Sequence, residues 1–170
     1  MACNQTLSGL VRDCEPSMGG IKRVLAANRD EVGEITISDD KVSAIATGTG
    51  KFKSYAFARN TGNMSSTYQI NNENGTKFVQ TDVLMVFNRM ETTKRVEMTA
   101  LAQNDLILIV EDANGKYWLL GKDEPVRASA GDGLTGTARA DRNGYSVTLQ
   151  DNSKEMPYEV DESIIAGLVG

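Results

Sequence analysis

Glu111–Gly121 reads EDANGKYWLLG, and this stretch decides the fold class. Asn114-Gly115 stands between two runs of strand-forming residues. Asn and Gly tolerate the positive φ angles of a tight hairpin better than other residues do. The stretch therefore predicts a strand, a two-residue turn and a second strand. Just before it, LILIV (Leu106–Val110) is apolar at every position, the pattern of a strand covered on both faces.

The same turn signal recurs on either side. Asn74-Gly75 lies within TYQINNENGTKFVQ (Thr67–Gln80), and Asn143-Gly144 within GTARADRNGYSVTLQ (Gly136–Gln150). Both read as hairpins, and three such signals are hard to reconcile with a helical protein. Further strands are predicted at IKRVLAA (Ile21–Ala27), at GEITIS (Gly33–Ser38, with Ile35 and Ile37 on one face) and at VLMVF (Val83–Phe87). In KFKSYAFAR (Lys51–Arg59) the bulky residues Phe52, Tyr55 and Phe57 break period two, which predicts a bulge near Ser54.

One segment has a different character. NRMETTKRVEMTALAQND (Asn88–Asp105) lacks Gly and Pro and is rich in helix formers. It predicts a helix of about three turns lying on a sheet. Asn88 with Glu91 reads as a capping box, and Val96, Ala100 and Gln103, with Met90, Thr93 and Leu101 nearby, as a weak inward stripe. A short helical turn is predicted at Asp161–Leu168, capped by Asp161 and packed through Ile164, Ile165 and Leu168. ARNTGNMSS (Ala58–Ser66) is either a long loop or the tip of an extended hairpin. ASAGDGLTG (Ala128–Gly136) reads as a glycine-rich loop.

The chain of 170 residues suggests one domain, residues 1–170. Its apolar share of 40% and charged share of 24% are ordinary for a globular protein. The net charge of −5 argues against clamping nucleic acid nonspecifically, which requires a clustered basic surface. The start has no basic region followed by an apolar core, so no secretory signal is expected, and no apolar run is long enough to span a bilayer. The glycosylation-type triplets at Asn4, Asn63 and Asn74 carry little weight without such a signal.

The candidate chemistry is thin. The chain has no histidine, so neither a Ser-His-Asp nor a Cys-His arrangement is available. Cys3 and Cys14 alone do not make up a four-ligand zinc site, and they are either free thiols or a pair closing an N-terminal loop. Thr47-Gly48-Thr49-Gly50-Lys51-Phe52 resembles a phosphate loop only in part. Ile45 stands where its first Gly belongs, and Phe52 where its hydroxyl belongs. Asp112-Ala113-Asn114-Gly115 and Asp132–Gly136 lack the later acids of a calcium loop and read as turns. Trp118 reads as a core or interface anchor. No carboxylate pair stands out among the 23 acids. No enzymatic role is expected, and no catalytic residue, cofactor or metal ion.

The run Lys77–Val160 resembles tail-tube and related virion proteins of tailed bacteriophages, especially phages of gut Bacteroides-type hosts. The resemblance rests on an order of parts. TDVLMVFNR leads into METTKRVEMTALAQ; DLILIVEDANGKYWLLG follows, then TGTARADRNGYSVTLQ and MPYEV. The opening CNQTLSGLVRDCEPSMGGIKRV is also similar to the start of such proteins. The resemblance implies a mainly β fold with one α-helix, an antiparallel β-sandwich or barrel flanked by that helix. It implies an N-terminal arm (residues 1–20), a C-terminal arm (157–170) and a long hairpin over Lys51–Gln80.

It further implies that the partners are copies of the chain itself, in six-fold rings stacked as a tube, and other virion tail proteins. DNA would pass through the lumen without specific binding, no membrane would be involved, and the protein would be made in the bacterial cytoplasm and end in the virion tail. Unpaired strand edges recruit other chains, and a ring-forming protein uses that recruitment. Other virion parts (neck, collar or head decoration) and a monomeric β-rich module binding sugar or peptide are the alternatives.

Overall fold

The computed structural model describes residues 6–47 and 52–170. The fold is mainly β, with two helices and two sheets. The strands are β1 (Ile21–Asn28), β2 (Val32–Ser38), β3 (Lys41–Thr47), β4 (Lys53–Ala56), β5 (Asn63–Asn71), β6 (Thr76–Asn88), β7 (Leu106–Asp112), β8 (Tyr117–Leu120), β9 (Arg127–Leu134), β10 (Gly144–Ser153) and β11 (Tyr158–Val160). Helix α1 (Thr92–Gln103) joins β6 to β7, and α2 (Glu162–Leu168) follows β11. One sheet runs β2-β3-β11-β8-β7-β1-β4 and the other β5-β6-β10-β9. Every pairing between these strands is antiparallel except β3 with β11. Among the described residues neither sheet closes into a barrel.

The all-apolar run LILIV forms β7 and explains itself through the layers on either side. Ile107 and Ile109 face one core, with Leu25, Val42, Phe52, Leu119, Ile165 and Leu168. Leu106, Leu108 and Val110 face the other, with Val83, Met85, Val147 and Leu149 of the four-stranded sheet. The seven-stranded sheet is thus covered on one side by α2 and on the other by the second sheet. The same two-sided cover removes the expected bulge at Ser54. β4 pairs with β1 in unbroken register from Lys53↔Ala26 to Ala56↔Arg23. Phe52 enters one core while Tyr55 and Phe57 border the other, so both faces take bulky residues without a kink.

The Asn-Gly pairs do not make the two-residue turns expected of them. The β7–β8 connection closes through an Asp112 N–H bond to the Lys116 carbonyl (2.9 Å), leaving three residues in the loop. Gly115 alone is left-handed there, at φ 81°. The β5–β6 hairpin pairs Asn71 with Thr76, leaving a four-residue loop with Gly75 at φ 76°. Asn143-Gly144 is no turn: Gly144 is the first residue of β10, paired with both Leu134 and Asn88. The two-residue turn with both residues left-handed is Asp39-Asp40 (φ 52° and 62°), between β2 and the unanticipated strand β3. Asp reaches this region because its short polar side chain bonds locally. Replacing Gly115 with Val should cost about 1–3 kcal/mol, because a β-branched residue is strained at positive φ. The loss is measurable as a lower urea midpoint, and an unchanged midpoint would refute the turn geometry.

Helix α1 has the predicted length but different contacts. Its N-cap is Glu91, whose side chain makes no capping bond. Asn88 instead ends β6, and Arg89 turns the chain at φ 66°, so the expected capping box does not form. Leu101 is the buried residue and Met98 packs beside it, whereas Val96 is exposed. Of the stripe read in the sequence, Leu101 is buried and Ala100 half-buried, whereas Thr93 and Gln103 are exposed along with Val96. Ala128–Gly136, expected as a loop, is mostly strand β9. Its small residues gave no strand signal, and pairing with β10 supplies the order instead.

The C-terminal segment 157–170 is part of the body and not an arm. β11 is inserted between β3 and β8. Asp161 caps α2 by accepting from the Ser163 N–H (3.0 Å), as expected. Ile165 and Leu168 enter the core and Ile164 packs at its margin. Phe52 donates its N–H to the Leu168 carbonyl (2.8 Å) and accepts from Gly170 (2.9 Å), tying β4 to the end of the chain. The expected long hairpin over Lys51–Gln80 divides likewise. β4 belongs to the seven-stranded sheet, and the hairpin proper is β5–β6 in the other.

Candidate assembly surfaces

Both outer strands of the four-stranded sheet are open. Among the described residues β5, of nine residues, pairs only with β6, and β9, of eight, only with β10. Seven of the nine residues of β5 and seven of the eight of β9 are exposed, so two long rows of backbone groups face solvent. β9 reads RASAGDGL, with only small side chains and Asp132 between Arg127 and Leu134, and the side chains of Met98 and Met90 lie over Gly131 and Gly133.

Alternation along the ladder assigns the faces of this sheet. Val79, Val83 and Met85 of β6 and Val147 and Leu149 of β10 point into the core. The opposite face then carries Ser65 and Thr67, Gln80 and Asp82, Thr148 and Gln150, Ala130 and Asp132. The same alternation places the half-buried Phe78, Leu84 and Val86 of β6 and Arg127 of β9 on it, so this face mixes polar, apolar and charged side chains. Asp132 accepts from the Ser146 hydroxyl (2.8 Å) and pairs with Arg142 (3.1 Å). These two partners, the Ser146 bond foremost, hold its carboxyl below the usual range.

Toward its tip the β5–β6 hairpin outruns the sandwich. Tyr68 and Ile70 continue the face that Met64 and Ser66 turn inward, yet both are more than half exposed. The N-terminal segment from Thr6 to Gly20 forms no helix or strand, and Leu7, Leu10 and Val11 are fully exposed on it. Its root is held by the turn of EDANGKYWLLG. Met18 N–H donates to Asn114 Oδ1 (2.9 Å), Asn114 Nδ2 donates to Ser17 Oγ (3.1 Å), and Ala113 N–H donates to the Gly20 carbonyl (3.0 Å). This latch was not legible beforehand, because its partners lie far apart in the chain. Cys14 is exposed on the same segment. Cys3 lies outside the described residues.

The motifs weighed for chemistry fall into structural roles. Gly48 to Lys51 lie outside the described residues, and Phe52 is fully buried. Asp112 organises its own turn: Oδ1 accepts from the Asn114 and Lys116 amides (2.8 and 3.0 Å). Its Oδ2 accepts from Trp118 Nε1 (3.0 Å), so the half-buried indole is anchored to the turn. Asp132 is tied to Ser146 and Arg142 as above. A hollow of about 220 Å³ lies between β4 and α1, where the Tyr55 hydroxyl donates to Glu97 (2.8 Å). Among the described residues no three His, Cys, Asp or Glu side chains are grouped to hold a metal. No helix among them is long and apolar enough to cross a membrane.

Asp151 is the exception among the acids. It lies on the inner face of β10 opposite Thr81, and the two are the buried polar residues of the core. Its Oδ1 has no hydrogen-bond partner. Burial pushes its carboxyl up to about 6, with Asp123 and Glu124 adding to the rise and the Gly121 amide opposing it. A folded state that holds this proton more tightly than the unfolded chain loses stability as pH rises from about 4 to 6. Asp151→Asn should therefore stabilise the protein by roughly 2–3 kcal/mol at pH 7 and by little at pH 4. Denaturant melts of both proteins at the two pH values measure this, and an equal effect at each would refute it.

Searches against protein-family models, curated proteins and solved structures return no match for this chain.

Proposed function

We propose that this chain is a structural, non-enzymatic virion protein of a tailed bacteriophage, and that copies of it join edge to edge into rings that stack as the tail tube. The observation that carries the reading is the four-stranded sheet with both long edges open, β5 on one side and β9 on the other. The two edges differ in sequence and lie on opposite sides, so a β5-to-β9 contact is head-to-tail. Such contacts make a ring when the rotation closes. Pairing removes the exposed backbone groups from water, which is how closed sheets dispose of their edges. The outer face of the sheet supports the same reading. Its Ser, Thr and Gln side chains are interspersed with Asp82, Asp132 and the half-buried Phe78, Leu84 and Val86, and the single cation on it among the described residues, Arg127, is paired with Asp105. On a chain of net charge −5 such a wall offers a polyanion no basic cluster to hold it. The exposed β5–β6 tip and the N-terminal segment are then the parts that reach from one ring to the next.

Sedimentation and negative-stain microscopy of the purified protein test the proposal. Rings or tubes are expected at high concentration. The double variant Thr67→Lys with Ala130→Lys places like charges on the two facing edges and should abolish assembly while leaving the monomer's circular dichroism unchanged. A wild-type protein that stays monomeric at every concentration, or a double variant that assembles as well as the wild type, would refute it.

A further inference from the structure

The structure sorts the three Asn-Gly pairs into two that are clamped and one that is free. We propose that Asn74 is a site of spontaneous deamidation, converting to aspartate and isoaspartate while Asn114 and Asn143 are protected by the fold. The inference does not depend on the tail-tube reading.

The reaction needs the amide nitrogen of the following residue to reach the Asn side-chain carbon. Glycine exposes that nitrogen most, having no Cβ. At Asn74 the requirements meet. Residues 71–77 are all exposed, and nothing lies within 4 Å of where a Gly75 side chain would stand. Among the described residues the Gly75 N–H donates to no backbone carbonyl, and Asn74 Nδ2 has no hydrogen-bond partner. Asn74 Oδ1 accepts from the Thr76 N–H (3.0 Å), which folds the side chain back over the Gly75 nitrogen. That donor also polarises the carbonyl and faces the oxyanion that forms on attack.

The steps balance without an outside reagent other than water. Gly75 N bonds to Asn74 Cγ and gives up its proton, the Cγ–Nδ2 bond breaks, and ammonia leaves. Water then opens the resulting succinimide at one carbonyl or the other. Opening at one restores a normal backbone with aspartate. Opening at the other routes the chain through the side chain and adds a carbon to a four-residue loop. Each product puts one new negative charge at the hairpin tip, beside Glu73.

The other two pairs lack this freedom. The Gly115 N–H donates to the Asp112 carbonyl (3.2 Å), and both side-chain atoms of Asn114 are bonded to the N-terminal segment. Gly144 is buried in a ladder between two strands. Asn143 Oδ1 accepts from the Met90 N–H (2.8 Å), and its Nδ2 donates to the Thr135 carbonyl (3.3 Å). Reaction at either requires local opening first.

The test is incubation of the full chain at mildly alkaline pH, then proteolysis and peptide mass spectrometry with separation of the isomers. Asn74 should convert first, with the Asn114 and Asn143 peptides slower by on the order of tenfold. In denaturant the three should converge to similar rates. Equal native rates at the three sites, or an intact Asn74 beside a converted Asn114 or Asn143, would overturn the proposal.

Discussion

Removal of residues 161–170 should leave a chain with no cooperative unfolding transition. Ile165 and Leu168 are at least 95% buried, and α2 covers the face of the seven-stranded sheet formed by Leu25, Val42, Ile107 and Ile109. Burying each of the two side chains contributes about 1.5–3 kcal/mol. The truncation also exposes the apolar surface beneath them and takes away both backbone bonds to Phe52. The summed loss is comparable with the whole stability of an ordinary domain, about 5–15 kcal/mol. The single variant Leu168→Ala should cost about 2–5 kcal/mol and remain folded enough to measure. Thermal melts and dye binding distinguish the outcomes. A truncated protein that melts cooperatively near the full-length temperature would mean that α2 is peripheral, as an arm would be.

Gly144→Ala should be the most damaging single glycine substitution, at about 3 kcal/mol or more. A Cβ at this position would collide with the Phe87 carbonyl oxygen and stand 3.1 Å from the Arg89 nitrogen, both backbone atoms. Backbone in a ladder cannot step aside as the end of a long side chain can. The close approach arises where β6 ends and Arg89 turns the chain toward α1, so relief would require moving the start of that helix. Gly19→Ala is the matched control: nothing lies within 4 Å of its Cβ position, and it should change stability by less than about 0.5 kcal/mol. Urea midpoints of the two variants, measured side by side, decide the matter. Similar midpoints would show that β6 and β10 are not so closely apposed.

The open edges of the four-stranded sheet carry few of the features that discourage unwanted strand pairing. Natural sheets blunt their edges with charge, proline or bulges. β5 has neither a charge nor a proline, and β9 carries Arg127 and Asp132 with one register shift, between Thr148 and Leu149 of its partner. These are weak defences for two long strands. Under the proposed function that weakness is the purpose, because the edge is the joint.

Much of the architecture was legible in the sequence because it rests on local patterns. The all-apolar LILIV, the helix formers of Thr92–Gln103 and the Asp161 cap depend on residues close in the chain, and each appears where the pattern placed it. The location of a turn was readable from Asn114-Gly115, but its type was not. Loop length is set by which residues across the two strands meet, and Asp112 with Lys116 closed it one residue wider than the pair alone implied. Strand β9 escaped notice because Arg127–Leu134 has weak intrinsic preference, and β3 because Val42 and Ile45 in Lys41–Thr47 do not alternate with period two; strand partners hold both in place. For the same reason the sequence alone could not show that the C-terminus is core, that Asn114 latches the N-terminal segment, or that β5 and β9 each keep one edge open. Which residues prefer an extended chain is a property of the residues themselves. Which edge finds a neighbour is a property of the whole packed sheet, and only the tertiary structure decides it.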